Sequence, residues 1–142
     1  MIRLLDVNVL VALAWPNHIH HARALRWFGA IRDEGWASCS VTESGFVRVS
    51  SNVRVIPDAR TPQQAMELLR RIRGQPGHTF WEDDISPVDA DSPAFERIVG
   101  YRQVTDAHLL TLAIRRGGLL ATFDRGVADL LPEGTAALEL IP

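Results

Sequence analysis

Residues 2–14 read IRLLDVNVLVALA. The first four, residues 2–5, have the composition of a short buried strand. The run from Val7 onward is apolar enough to be buried on most sides, as a helix or as a strand. Between the two stands Asp6, with Asn8 two positions later. A carboxylate at the end of a buried strand is costly unless it is paired, hydrogen-bonded or bound to a metal. Asp6 therefore either caps the segment that follows or is held there for chemistry.

Working outward, Pro16 and Asn17 break the apolar run. Residues 18–31 place Ala24, Leu25, Phe28 and Ile31 at the spacing of an amphipathic helix, which Gly35 ends. Residues 36–41, WASCSV, read as a second strand, with Thr42 as the N-cap of a helix over residues 43–53. Thr61 caps a helix over residues 62–74, with proline in its first turn and glycine at its end. Residues 74–81 are turn and then strand, and residues 82–93 an acidic loop. Helices follow over residues 93–99 and 105–116. LLAT, residues 119–122, is a buried strand running into Phe123 and Asp124. A helical turn covers residues 126–131, and AALELI, residues 136–141, makes the last strand. Strands alternating with helices predict an α/β fold with a mainly parallel sheet. No repeat or linker interrupts the chain, so residues 1–142 are expected to form a single domain.

Composition narrows the function. The chain has 142 residues, 46% apolar, with a formal net charge of −2. Binding to nucleic acid by bulk electrostatics alone normally needs a basic protein. A phosphate partner would have to be held by local features or through a cation. All 15 basic residues are arginine, which excludes any mechanism that needs a lysine. Cys39 is the only cysteine, so an intramolecular disulfide and a Cys-rich zinc site are excluded. That fits a reducing, cytoplasmic compartment. No basic leader precedes the first apolar run, and no stretch approaches the ~18 apolar residues of a membrane span.

In a parallel sheet, ligands bind beyond the carboxyl ends of the strands. Asp6 and Asp124 each follow an apolar strand. Glu43 opens a helix after the second strand, and Asp106 lies in the first turn of the helix TDAHLLTLAIRR. Four acids from distant parts of the chain are thus expected at one edge. Each also sits near a helix start, where capping and the helix dipole alone would favour an acid. Four close carboxylates would not all stay ionised without a cation. A hard divalent ion, Mg²⁺ or Mn²⁺, suits oxygen ligands, and its usual chemistry with such acids is phosphodiester hydrolysis.

LLDVNVLVAL, VTESGFVRV, TDAHLLTLAI and LLATFDRGV together, in this order and spacing, resemble the PIN-domain ribonucleases, and among them the VapC toxins of bacterial toxin–antitoxin pairs. The likeness spans essentially the whole chain. It implies a three-layer α/β/α sandwich and a Mg²⁺-dependent endoribonuclease. It maps the family's metal-binding acids onto Asp6, Glu43, Asp106 and Asp124. Asn8 matches the family's D-x-N opening, and Thr105 and Thr122 stand where small hydroxyl residues lie near the metal. It also implies an RNA substrate, a VapB-type antitoxin partner and a homodimer.

Among other features, Arg48, Arg102 and Arg125 are candidate RNA contacts because each lies close in sequence to one of the acids. Arg70, Arg71 and Arg73 end a helix, where cations are favoured without any ligand. His18, His20 and His21 have no recognised zinc spacing and read as a solvated helix start. Trp81, beside the acidic loop, is the tryptophan expected to be exposed.

Readings from other classes fare worse. Aspartate-nucleophile phosphatases need a second acid where Asn8 stands and a later lysine; receiver domains need the lysine too. Phosphate-cradling glycine patterns are absent. A PIN-like module that only binds RNA or protein remains, and the complete acid set argues against it.

Overall fold

The computed structural model describes residues 1–88 and 92–142. Asp89 and Asp91 of the expected acidic loop lie outside the described residues. The strands are β1 (Arg3–Leu5), β2 (Trp36–Cys39), β3 (His78–Trp81), β4 (Leu119–Thr122) and β5 (Leu138–Leu140). They form one sheet in the order β3-β2-β1-β4-β5, and every pairing is parallel. The helices are α1 (Val7–Ala14), α2 (His21–Ile31), α3 (Ser40–Ser50), α4 (Pro62–Arg73), α5 (Pro93–Glu96) and α6 (Val104–Arg115).

Successive side chains of a strand face opposite sides of a sheet, and here both sides are covered. Leu4, Ala37, Cys39 and Leu120 pack with Ala94 of α5 and Leu109 and Leu110 of α6. Their neighbours Leu5, Trp36 and Ala121 pack with Leu10 of α1, Phe28 of α2, Phe46 of α3 and Leu69 of α4. The result is the expected three-layer α/β/α arrangement. Burial on both faces explains why the central strands read as unbroken apolar runs.

Several boundaries differ from the sequence reading, each for a local reason. The apolar run after Asp6 is helical. Strand β2 stops at Cys39, and α3 starts at Ser40 rather than after Thr42. Thr42 lies inside the first turn and reaches back: its Oγ1 accepts from the Cys39 N–H at 3.0 Å and donates to the Cys39 carbonyl at 3.1 Å. Helix α3 ends at Ser50, short of residue 53. There Ser51 Oγ donates to the Val47 carbonyl at 2.6 Å and satisfies a terminal acceptor. Trp81 is 5% exposed and belongs to the core under α6, against the expectation that it faces solvent.

The topology sets the crevice. From central β1 the sheet grows through β2 and β3 on one side and through β4 and β5 on the other. The winding reverses between β1 and β4, and the crevice beyond their carboxyl ends is where such sheets hold ligands. Helix α6 runs back against the sheet and leads into β4, so its first turn lies at that same edge.

Candidate functional site

Asp6 is the first residue beyond β1. It is 6% exposed. Its backbone N–H still donates to the Ala121 carbonyl of β4 at 3.1 Å, which fixes it over the β1/β4 junction. Its carboxylate accepts two hydrogen bonds: Oδ1 from the Val7 N–H at 2.7 Å, and Oδ2 from Thr122 Oγ1 at 2.7 Å. The first is the capping role that the local reading anticipated. The second crosses from the neighbouring strand and has no part in capping.

Asp124 follows β4. Its own backbone N–H donates to Thr122 Oγ1 at 3.1 Å, and its Oδ1 accepts from the Gly126 N–H at 2.8 Å. Asp106 lies in the first turn of α6 with no side-chain hydrogen bond among the described residues. These three acids sense one another. Burial is the main cause of a raised pKa at Asp6, and the charge of Asp124 adds to it. Burial raises the Asp106 pKa to about 6, with Asp6 and Asp124 both pushing the same way. No Arg or His among the described residues lies within ion-pair distance of any of the three.

Glu43 takes the expected place, in the first turn of α3 beyond β2, but its contacts lead away from the other three acids. Its Oε2 accepts from Ser38 Oγ at 3.0 Å, and its Oε1 pairs with Arg73 at 3.1 Å. Ser38 Oγ also meets His78 Nε2 at 2.8 Å. Since the Ser38 hydroxyl donates to the carboxylate, His78 must donate to Ser38. The His78 ring therefore carries a proton on Nε2. Desolvation, and then the charge of Arg73, lower its pKa to about 4.

The sequence did not single out Ser38, Arg73 or His78 as partners of Glu43. The available signal was a serine inside the buried run of β2; Arg73 offered only a helix-end reading, and its partner is 30 residues away. Asn8 and Thr105 are exposed and make no side-chain hydrogen bond among the described residues. Arg48 lines an open groove between α3 and α4 beside Glu43. Arg102 donates to the Tyr101 hydroxyl at 3.3 Å and covers that ring. The three histidines are not a solvated start. The His18 ring accepts from the His20 N–H, His20 stacks on Phe123, and His21 Nδ1 donates to the Ala12 carbonyl at 2.7 Å.

Three uncompensated carboxylates in a crevice are a donor set for a hard cation. No three His, Cys, Asp or Glu side chains among the described residues close into a ligand cluster. Mg²⁺ does not need one, because it is usually held by one or two carboxylates and keeps several waters. The residues present fit such an ion.

The sequence pattern of the PIN domain matches residues 3–130. The chain belongs to the PIN-domain family. Relatives cover nearly all of it. Ribonuclease VapC38 of Mycobacterium tuberculosis is 59% identical over 127 residues, 89% of this chain and 88% of the relative. Ribonuclease VapC39 of the same species is 46% identical over 134 residues, 94% of this chain and 96% of the relative. Ribonuclease VapC44 is 42% identical over 125 residues, 88% and 87%. PIN-domain ribonucleases in general depend on divalent metal ions. In this PIN domain, no helix among the described residues is long and apolar enough to cross a membrane.

Proposed function

We propose that this PIN domain is the toxin of a VapB/VapC-type pair: a cytoplasmic endoribonuclease that hydrolyses RNA phosphodiester bonds with Mg²⁺, for which Mn²⁺ can substitute. Asp6, Asp106 and Asp124 would hold the ion, and Glu43 would complete the site from the β2 side. A bound divalent ion supplies charge neutralisation at the phosphate and activation of a water. The chain's own residues supply the rest. Thr122 and the Val7 N–H fix both oxygens of Asp6 and favour its ionised form. Asp106, whose charge is disfavoured by burial and by Asp6 and Asp124 when no cation is present, gains the most from the ion. Asn8 and Thr105 face solvent at the same edge, within reach of water or substrate. Arg48, Arg102 and Arg125 are the cations nearest in sequence to the acids and would contact RNA.

The observation that supports this reading most is the convergence of Asp6, Asp106 and Asp124 at the β1/β4 switch point with no Arg or His among the described residues within ion-pair distance. The names of the relatives support a ribonuclease with a VapB-type antitoxin as partner; the homodimer is the family's usual assembly. The test is cleavage of total cellular RNA by purified, antitoxin-free protein, with Mg²⁺, with EDTA, and with Asp6→Asn prepared identically. Discrete Mg²⁺-dependent fragments, absent with the variant, establish the nuclease. Equal cleavage by the variant refutes the assignment. RNA binding without cleavage under any of these conditions would instead favour a binding-only module.

A further inference from the structure

Beyond Asp124, on the β5 side of the acids, lies an open pocket of about 440 Å³. His20, Arg23, Phe123 and Arg125 line it together with residues 140–142. Phe123 and Arg125 flank Asp124 in the chain, so the pocket begins where the acid cluster ends. The His20 ring stacks on Phe123, centroids 4.5 Å apart and planes 23° apart. The Arg23 guanidinium also lies 5.2 Å from the Phe123 centroid.

The donors of this pocket divide into two kinds. Arg23 is spent on structure. Its Nε and Nη2 donate to the carbonyls of Pro142 and Ile141 at 2.8 and 3.1 Å, and its Nη1 donates to His20 Nδ1 at 2.9 Å. An arginine can only donate, so His20 Nδ1 is the acceptor and the ring's proton sits on Nε2. His20 thus offers one N–H donor on a ring held by Phe123 and Arg23. Arg125 is spent on nothing: it is exposed and has no hydrogen bond or ion pair among the described residues.

This arrangement answers an electrostatic problem. The three acids repel a polyanion, and the chain as a whole carries −2. A divalent ion can offset that at one phosphate only. The next phosphate along the strand needs its own positive partner, close to the acids yet not neutralised by them. We propose that the pocket is the subsite for the backbone phosphate of the nucleotide adjoining the scissile bond. Arg125 and His20 Nε2 are the phosphate donors, and Phe123 with its stacked imidazole forms the wall. The subsite rests on the ribonuclease reading, whose acids it borders.

The experiment is binding of a short, single-stranded RNA of randomised sequence, followed by fluorescence anisotropy in EDTA over a range of salt. Arg125→Gln is expected to weaken binding about tenfold and to lower the slope of log affinity against log salt by about 0.7, the loss of one phosphate contact on a single strand. His20→Phe keeps a ring stacked on Phe123 but removes the neutral donor, and is expected to weaken binding while leaving the slope unchanged. Arg26→Gln, an exposed arginine one turn further along α2 and outside the pocket, is the charge control and should do neither. Melting temperatures of the variants verify that they are folded. Affinity and slope unchanged in Arg125→Gln, or the same loss of slope in Arg26→Gln, overturns the subsite, as does a wild-type protein that binds no RNA. Cleavage of total RNA with Mg²⁺ is run in parallel. Cleavage with no effect of Arg125→Gln on binding sinks the subsite and leaves the nuclease standing. An Arg125-dependent slope with no cleavage keeps the phosphate contact but overturns the ribonuclease reading, and with it the place beside a scissile bond.

Discussion

Thr122 Oγ1 joins two acids that are 118 residues apart: it donates to Asp6 Oδ2 at 2.7 Å and accepts from the Asp124 N–H at 3.1 Å. One hydroxyl therefore sets the orientation of the buried carboxylate and the backbone of the exposed one. It also opposes burial, since a bond donated to a carboxylate stabilises its charged form. Thr122→Val keeps the shape and removes the hydroxyl. The expected result is a Mg²⁺ requirement raised roughly tenfold, about 1.4 kcal/mol, in line with the loss of one hydrogen bond to a charged group. Thr122→Ser should restore most of it. An unchanged Mg²⁺ titration in Thr122→Val would show that the bond does not position Asp6 for the ion.

The raised pKa of Asp106 has a consequence for stability that can be read without any substrate. Its folded value, about 6, lies above the ordinary aspartate value of 3.8. The folded state therefore binds the extra proton more tightly than the unfolded chain does. The stabilisation this gives is present in full below the unfolded pKa and is lost as pH rises through about 6. Asp106→Asn removes the repulsion. The metal-free variant should melt above the wild type at neutral pH, and the gap should narrow as pH falls toward 4. Saturating Mg²⁺ should raise the wild-type melting temperature more than that of the variant. A variant that melts below the metal-free wild type at neutral pH would mean that Asp106 stabilises the fold and is not held there against its own charge.

Much of the fold was legible because parallel strands buried on both faces give apolar runs that little else imitates. LLAT at residues 119–122 matches β4 residue for residue. Asp6 and Asp124 were legible for the same reason, as charges that end such runs. What could not be read was pairing across the chain. Local sequence gives Glu43 as a first-turn acid and Arg73 as a helix-end cation, and each description is correct. Their meeting depends on how α4 packs on α3. The same holds for His20, whose ring meets Phe123, the residue after β4, and Arg23 as well as its neighbour His18. Boundaries moved where a side chain reached back to the backbone, as Thr42 does to Cys39.

The His78–Ser38–Glu43 chain makes a spectroscopic prediction. If Ser38 donates to Glu43, the His78 ring must hold its proton on Nε2. Its pKa near 4 should keep it neutral through the physiological range. A long-range nitrogen–proton NMR spectrum at neutral pH should show the Nε2–H tautomer and no titration of that ring above about pH 5. By linkage, a depressed histidine costs stability as pH falls from its unfolded value toward 4, the opposite sign to Asp106. Ser38→Ala should free Glu43 to turn toward Arg73 alone and should lower catalytic turnover more than RNA binding. A neutral ring with its proton on Nδ1 would break the donor order on which the chain depends.

Gly45 supplies the last prediction, because it sets how closely α3 approaches the start of α1. A Cβ on Gly45 would come within 2.6 Å of Val7 Cγ2, and Gly45 is itself buried. Val7 follows Asp6 and donates its N–H to that carboxylate; Glu43 lies two residues before Gly45. The side chain of Val7 is β-branched and cannot swing aside without leaving its rotamer. Gly45→Ala must therefore push α3 away from α1 and widen the separation between Glu43 and Asp6. Overpacking of this kind costs about 1–3 kcal/mol, partly offset by the better helix propensity of alanine, about 1 kcal/mol. The expected variant is folded, modestly less stable in urea, and strongly impaired in Mg²⁺-dependent cleavage. Gly29, on the open face of α2 with nothing near its added Cβ, is the control: Gly29→Ala should stabilise slightly and leave cleavage intact. If Gly45→Ala cleaves like the wild type, the spacing between these two helices is not what brings Glu43 to the site.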